Sequence, residues 1–437
     1  MSNAARWVSE PLLLDDRIRG VPPGVSGLPI EAVVAQHWRP VEGVMTLPVL
    51  TLDEEAFAHN RDAMLRYVRE QGVEIAPHAK TPMAPALATS LIDAGAWGAT
   101  VADIRQAAVL LRAGVRRLIL ANEVGGRGGA GRLAALLEAW PDAELYAFVD
   151  SVVTAQAYAE AWRRHPATPP LRVLIELGAG RAGARTLSDA QAVLEAIVGQ
   201  SAGCLTLSGV AAYEGSATPG SDGVQPVIAD LLVRVRDLLA IVRAQVGPGR
   251  PLLVTAGGSV FFDDVVAALR PAVDADGAAK LILRSGAIFF HDHGVYQRAL
   301  AALDERGGFR LGGEAVSAAS LFRPALRLWA EVLSRPEAGL AVVGMGMRDV
   351  SFDQGLPRPL RVYRDGALLR DIPPGSMTID KLNDQHAFLA CGSDDVRVGD
   401  VLELGVSHPC TCLDRYRVLF GLDAEGRVRH AFPTFFG

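Results

Sequence analysis

The segment Pro77-His78-Ala79-Lys80-Thr81 sets a lysine at the end of a short apolar run, Val73 to Ala76, and ahead of a helix-like run over 84–94. A lysine between a strand end and a loop can be partly desolvated. Burial disfavours the ammonium form, lowers the pKa and frees the amine as a nucleophile. Such an amine forms a Schiff base with a carbonyl compound. A second reactive set is Ser407-His408-Pro409-Cys410-Thr411-Cys412. If this stretch is extended, residues 408, 410 and 412 share one face. The imidazole of His408 and the thiolate of Cys410 are a partial ligand set for Zn2+, and two or three protein ligands leave a position open for substrate or water. Cys412 reads equally as a third ligand or as packing. Taken singly, a surface lysine and a buried cysteine beside a hydrogen-bonded histidine account for both segments, so their weight depends on what surrounds them.

Two glycine-serine loops add anion-binding potential: Ala256-Gly257-Gly258-Ser259 and Ser285-Gly286-Ala287. Glycine lets backbone N–H groups approach an anion, and serine hydroxyls add donors. Arg181 lies in Gly178-Ala179-Gly180-Arg181-Ala182-Gly183, and Tyr213 opens Tyr213-Glu214-Gly215-Ser216. The arginine can hydrogen-bond a phenolic oxygen or a carboxylate, or simply sit in a surface loop. The tyrosine can pack on an aromatic ring or plug a rim. The run GGRGGAGR at 125–132 resembles a phosphate loop but lacks the Gly-Lys-Ser/Thr ending, and it reads as a flexible loop.

The elements that must position these residues alternate between strand and helix. Strand-like runs occupy 73–77, 98–102, 117–121, 144–149, 171–177, 205–212, 252–256 and 280–285. Helix-period runs fill nearly every gap: 104–113, 130–140, 152–164, 188–198, 224–246 and 263–269. Ahead of the first strand, Thr51 and Glu54 suggest a capping box for a helix from Asp53 to about Glu70. The strand runs are continuously apolar, as buried parallel strands are. Eight β/α units over roughly 250 residues match a TIM barrel. A doubly wound sheet fits less well, because no GxGxxG follows the first strand. Beyond about residue 300, turn signals separate short β-branched runs at 360–363, 396–398, 401–404 and 416–420, which reads as an all-β domain. The expected fold is therefore α/β, with an N-terminal extension over 1–45, a (β/α)8 barrel over 46–300 and a C-terminal all-β domain over 301–437. The extension can pack on the β domain or wrap the barrel.

In a barrel, active sites lie at the C-terminal strand ends, and phosphates are often held after strands seven and eight. The two glycine-serine loops fall there, across the mouth from Lys80. A Schiff-base lysine facing a phosphate cradle suggests pyridoxal 5'-phosphate (PLP). The combined set resembles the PLP enzymes of the alanine-racemase fold type (fold type III), and within them the D-serine dehydratase and D-threonine aldolase group. The resemblance runs from about Pro48 to the C-terminus, anchored by PHAKT at 77–81, Arg181-Ala182-Gly183, Tyr213-Glu214-Gly215, the two loops and His408-Pro409-Cys410. It implies that Lys80 carries PLP and acts as the catalytic base. It also implies that His78, Arg181, Tyr213, Gly257, Gly258, Ser259, Ser285, Gly286 and Ala287 bind the cofactor, and that His408 and Cys410 bind a metal. The aldolases typically have aspartate where Cys410 stands and favour Mn2+-like metals. A thiolate favours Zn2+, which prefers the dehydratase branch, although another divalent metal remains open.

The expected reaction is deamination of D-serine or a related β-hydroxy D-amino acid to a 2-oxo acid and ammonia. The alternatives are retro-aldol cleavage to glycine and an aldehyde, and a non-catalytic role in PLP homeostasis. Proteins of that last kind are usually a barrel alone. The resemblance further implies a homodimer. Hydrophobic residues make up 50% of the 437 positions and charged residues 21%, and the formal net charge is −6, with no basic patch to suggest a nucleic-acid partner. Four scattered cysteines do not make a disulfide framework, and there is neither a secretory leader nor a bilayer-length apolar run, so a cytoplasmic location is expected.

Overall fold

The computed structural model describes residues 12–199, 203–219 and 221–436. Among them, strand β1 (Val49–Asp53) leads into helix α1 (Glu54–Glu70), and eight strands then alternate with helices. These are β2 (Glu74–Ile75), β3 (Ala99–Val101), β4 (Arg117–Leu120), β5 (Glu144–Val149), β6 (Leu171–Leu177), β7 (Leu205–Ala212), β8 (Leu252–Ala256) and β9 (Ala279–Leu283). Neighbours pair in parallel around the ring, with β9 returning to β2. The ring closes between β2 and β3 through the His78–Thr100 bridge, where Thr100 N donates to Pro77 O at 2.9 Å and Ala79 N to Thr100 O at 2.8 Å. This is the (β/α)8 barrel expected from the apolar runs.

Two apolar layers hold it. Inside, Ala76, Ile119, Tyr146, Phe148, Leu174, Ala211, Leu253 and Ile282 form one plug below the strand ends. Outside, the opposite strand faces meet the helices in a large continuous core. Strands buried on both faces are predominantly apolar, which is why their sequence shows no regular alternation. In α1, Phe57, Asn60, Met64, Tyr67 and Val68 are all buried. Asn60 satisfies its amide by donating to Phe289 O and Arg323 O and accepting from Arg323 N.

Local readings need four corrections. Helix α1 is capped by Asp53, whose carboxylate accepts from Ala56 N at 2.9 Å, rather than by a Thr51–Glu54 box. Thr51 belongs to β1, and its hydroxyl receives the Trp329 indole N–H at 2.8 Å. The run GGRGGAGR is not a flexible loop: Gly126–Glu138 is a helix. A Cβ at Gly129 would fall on the Val124 carbonyl, so the glycine lets the chain pack tightly at the helix start. Residues 396–398 are not a strand but lead into a turn over 397–400, closed by Asp400 N on Arg397 O and by Arg397 N on the Asp400 carboxylate. Finally, residues 408–412 are not extended. Pro409 has φ −61° and ψ −44°, and Cys410–Leu413 is a short helical turn.

The C-terminal part is a ten-stranded, mostly antiparallel sheet system built around the long strand Leu326–Glu337, which pairs with Val401–Gly405 and with β1. The chain thus contributes a strand to this sheet before it enters the barrel. Residues from Leu14 to Met45 bury Leu14, Ile18, Val21, Val33, Trp38, Val41 and Met45 against Trp329, Val401, Val418, Phe420 and Val428. The described part of the N-terminal segment therefore packs on the β sheet.

Candidate active site

At the C-terminal strand ends, one cavity of about 290 Å3 gathers side chains from both domains. The barrel contributes His78, Lys80, Thr81, Arg181, Tyr213, Gly258, Ser259, Arg284, Gly286 and Ala287, and the β domain contributes His408 and Cys410. Ten of the residues singled out from sequence thus face one space, although they run from His78 to Cys410 along the chain. Gly257 and Ser285 lie just behind the wall.

Lys80 follows β2 at the rim. The loop after it turns through Met83 at φ 38°, held by Met83 N on Ala79 O at 2.9 Å and by Phe435 N on Met83 O at 2.8 Å. The Lys80 amine reaches into the cavity with no hydrogen bond or ion pair among the described residues. Desolvation lowers its pKa. Cys410 opposes that shift, while Arg181 and Arg284 add to it. The direction of the shift is the one expected for a lysine at a strand end. Desolvation also holds the His78 imidazole well below its ordinary value.

Across the cavity, the glycine loops are arranged differently from a bare phosphate cradle. The amides of Gly257 and Gly258 already donate to the Glu214 carboxylate, at 3.0 and 2.7 Å, and Glu214 is fully buried. The Ser285 hydroxyl donates to the Gly257 and Gly258 carbonyls at 3.1 Å, which stiffens the loop from behind. Among the described residues, no hydrogen bond engages the amides of Ser259, Gly286 and Ala287. Those three amides are unengaged donors at this rim, and the Ser259 hydroxyl, which accepts from Ile288 N at 3.3 Å, can donate there as well. Gly286 approaches the His78 backbone so closely that a Cβ would lie 2.5 Å from His78 O. The loops after β2 and β9 therefore form one rim.

Between these poles, Tyr213 is wedged against Gly215 and Gly258, where a Cβ would lie 2.7 and 2.8 Å from its ring. The Arg181 guanidinium stacks over the exposed ring face at 5.1 Å. Gly183, at φ 97°, closes the Arg181 loop back on Gly178 without room for a Cβ. Tyr213 is thus both a cavity wall and a rim packer. Its phenol pKa is raised by burial first and by Glu214 second.

Sequence reasoning missed four residues here. Arg284 is 5% exposed, donates to Thr255 Oγ1 at 2.9 Å and Ala212 O at 2.7 Å, and lies over the Phe148 ring. Its signal was a cation ending the apolar run of β9. Tyr296 lines the cavity from the segment after β9. Its backbone is placed by Asp292, which accepts Gly294 N and Tyr296 N. Glu214 stood inside a quoted motif but was passed over. Asp353 lies 55 positions before His408 and gave no local signal.

His408 Nδ1 is 2.6 Å from Asp353 Oδ2, and Thr411 Oγ1 donates to Asp353 Oδ1 at 2.6 Å. Burial works against the imidazolium. Hydrogen bonds with Cys410 and Asp353 outweigh it and push the His408 pKa up to about 9. Cys410 Sγ is 3.3 Å from the Thr81 hydroxyl, next to Lys80. Cys412 points away into the core, fully buried, and burial raises its thiol pKa to about 12. It packs and does not reach the cavity. Among the described residues, no group of three or more His, Cys, Asp or Glu side chains is arranged to hold a metal, and the donors that line the cavity from the β domain are His408 and Cys410. One nitrogen and one sulfur donor suit Zn2+ and leave positions open.

The family model of the alanine racemase N-terminal domain matches residues 52–263, and that of the serine dehydratase domain matches residues 325–422. The 3-hydroxy-D-aspartate aldolase of Paracoccus denitrificans (strain Pd 1222) is 27% identical over 404 residues, covering 90% of this chain and 92% of that protein. The crystal structure of D-threonine aldolase from Filomicrobium marinum superposes with a TM-score of 0.69 at 23% identity, over 89% of this chain and 95% of that one. D-threo-3-hydroxyaspartate dehydratase from Delftia sp. HT23 gives 0.65 at 22%, over 91% and 99%.

Proposed function

We infer that this chain, whose two matched domains are those of the alanine racemase-like PLP enzymes of the D-serine dehydratase and D-threonine aldolase group, is a PLP-dependent lyase. Its substrate is D-serine or a related β-hydroxy D-amino acid, and its products are the 2-oxo acid and ammonia. One observation carries the reading: Lys80 from the barrel and His408 with Cys410 from the β domain face the same cavity. A barrel that merely stores PLP needs no imidazole–thiol pair at its mouth.

The residues fit the cofactor. Lys80 offers an unengaged amine of lowered pKa, and the amides of Ser259, Gly286 and Ala287 lie opposite for a phosphate. Tyr213 and Arg181 wall the space between. When bound, PLP supplies the electron sink for the carbanion at Cα. Lys80 Nζ removes the Cα proton, a task suited to an amine whose pKa is lowered from its ordinary value. Desolvation lowers the pKa of that amine, and the positive charge of Arg181 and Arg284 nearby lowers it further. No Asp or Glu side chain lines the cavity among the described residues, and its cations favour the substrate carboxylate. His408 and Cys410 would hold Zn2+, which supplies Lewis-acid assistance to a β-oxygen that is otherwise a poor leaving group.

The similarity to two aldolases supports a second reading, in which the same residues assist Cα–Cβ cleavage to glycine and an aldehyde. A product assay on PLP- and Zn2+-loaded protein separates the two. Ammonia and 2-oxo acid from D-serine and D-threonine, with none from the L-isomers, is expected. Glycine and acetaldehyde from D-threonine instead overturns the dehydratase assignment in favour of the aldolase.

A further inference from the structure

The cavity's imidazole is held from behind by a residue on a different segment, and the protons there can be counted. Asp353 lies between the strands Leu340–Val343 and Arg358–Arg364. Its carboxylate only accepts hydrogen bonds. The Thr411 hydroxyl has one proton, and it goes to Asp353 Oδ1 at 2.6 Å. His408 Nδ1 lies 2.6 Å from Asp353 Oδ2 and 3.0 Å from Thr411 Oγ1. Two acceptors therefore face Nδ1, and the proton in both contacts must come from the ring. In the neutral imidazole the lone pair is then on Nε2.

The arrangement is built rather than incidental. The segment carrying Asp353 is stitched to the segment carrying His408 a second time, by the Ser407 hydroxyl on Gly355 O at 2.6 Å. Gly355 makes this possible at φ 121°, a conformation L side chains rarely adopt, and it bridges back to Asp353. On the cavity side, Val295 N donates to Ser407 O at 3.0 Å, which ties the start of the histidine segment to the barrel's last loop.

We propose that Asp353, with Thr411, is a positioning residue that fixes the ring orientation and Nδ1–H tautomer of His408 and so presents Nε2 as the metal-binding nitrogen. This rests on the reading of His408 and Cys410 as a Zn2+ site. A metal-bound histidine commonly donates its other ring N–H to a carboxylate, and loss of that partner typically costs about 10–100-fold in metal affinity.

The test uses PLP-loaded protein stripped of metal, titrated with Zn2+ against a chromophoric chelator, and with Co2+ to read the thiolate charge-transfer band. Asp353→Ala should weaken Zn2+ binding about 10–100-fold, and Asp353→Asn, whose amide oxygen can still accept, should lose less. Thr411→Val, which keeps the carboxylate, should lose least. The visible absorbance of the Lys80-bound cofactor should stay unchanged in all three. His408→Ala should abolish tight binding. Wild-type Zn2+ affinity in Asp353→Ala and Asp353→Asn, with His408→Ala still defective, overturns the positioning role and leaves the metal site standing. Loss in Asp353→Ala equal to that in His408→Ala, with no recovery in the Asn variant, overturns it in favour of Asp353 as a direct ligand. Unchanged affinity in His408→Ala and Cys410→Ala removes the metal site, and the proposal with it. If Asp353→Ala does not fold, the Asn and Val variants carry the same comparison.

Discussion

Removing the Glu214 carboxylate tests how the phosphate-facing rim is held. Glu214 is fully buried, and its two oxygens take the amides of Gly257 and Gly258 at 3.0 and 2.7 Å. A hydrogen bond to a charged group contributes about 1.5–3 kcal/mol, and a buried amide left unpaired costs a similar amount. Two such bonds set the scale at about 3–6 kcal/mol for Glu214→Ala. The low end is the better expectation, because Gly258 borders the open cavity and water can replace its partner. Gln keeps one acceptor oxygen and turns an NH2 toward the other amide, so Glu214→Gln should lose roughly half as much, about 1.5 kcal/mol or a little more. Both variants also leave the buried Arg284 guanidinium with less compensating negative charge, since Glu214 is the anion acting most strongly on it.

The assay is urea unfolding of wild type, Glu214→Ala and Glu214→Gln, followed by tryptophan fluorescence, with PLP affinity measured from visible absorbance. The expected order of stability is wild type, Gln, Ala. PLP affinity should fall in the same order, because the loop that aims Ser259 loses its anchor. Two results would refute the reasoning. If both variants lie within about 0.5 kcal/mol of wild type, the amides do not depend on Glu214. If PLP binds more tightly to Glu214→Ala, the freed amides are better phosphate donors than structural ties, and the carboxylate is a competitor of the anion rather than its support.

Lys80→Ala should abolish the visible absorbance of the lysine-linked cofactor and lower turnover at least about a hundredfold, the low end for losing a positioned acid–base group; an unchanged spectrum removes Lys80 from its role. His408→Ala and Cys410→Ala should keep that absorbance yet cut elimination at least about a hundredfold, while full activity in chelator-treated wild type would refute metal assistance. Glu176 is 3% exposed, and burial, then the Glu123 carboxyl, push its pKa from 4.5 up to about 9. The folded chain thus keeps a proton that the unfolded chain has released, so this group's contribution to stability falls as pH rises from about 4.5 to about 9, by at most about 1.4 kcal/mol per pH unit. Glu176→Gln should therefore gain on wild type between pH 5.5 and pH 8.5 in urea unfolding, and a pH-independent difference would show that Glu176 is ionised in the fold.

The barrel was legible because its strands obey one physical constraint. Strands such as Glu144–Val149, Leu171–Leu177, Leu205–Ala212 and Leu252–Ala256 are largely buried on both faces, so each is a mostly apolar run without regular alternation, whose ends the sequence marks. Lys80 and the serine-glycine loops followed, since strand ends fix their position. The misreadings arose where tertiary contacts override local preference. Glycine-rich 126–132 is a poor helix by propensity, yet it opens a helix because Gly129 packs where a Cβ would strike Val124 O. Pro409 has a φ compatible with both extended chain and helix, so spacing alone could not reveal the turn that sends Cys410 to the cavity and Cys412 to the core. Asp353 was invisible because only the sheet topology brings it to His408.

That division also bears on why the proposed site would suit either of the two lyase reactions considered. The proton-transfer group and the imidazole–thiol pair come from separate domains, so their spacing is set by the domain interface rather than by a flexible loop. The interface is tied where it matters. Thr81, next to Lys80, contacts Cys410 Sγ at 3.3 Å, His293 N donates to Val406 O at 2.9 Å, and the C-terminal Phe435 grips Met83. In the proposed reading, a fixed spacing would set the amine near Cα and the imidazole–thiol pair near the β-oxygen of one bound substrate. Elimination and retro-aldol cleavage both require negative charge to develop at Cα beside a β-oxygen. Lys80, Arg181 and Arg284 line a cavity without a lining carboxylate among the described residues, and in the proposed reading they would stabilise that charge in either case. The choice between the two reactions then falls to the few groups around Cβ: whether the Cα proton lies within reach of Lys80, and whether the β-oxygen at His408 and Cys410 departs or stays to expel the Cα–Cβ bond.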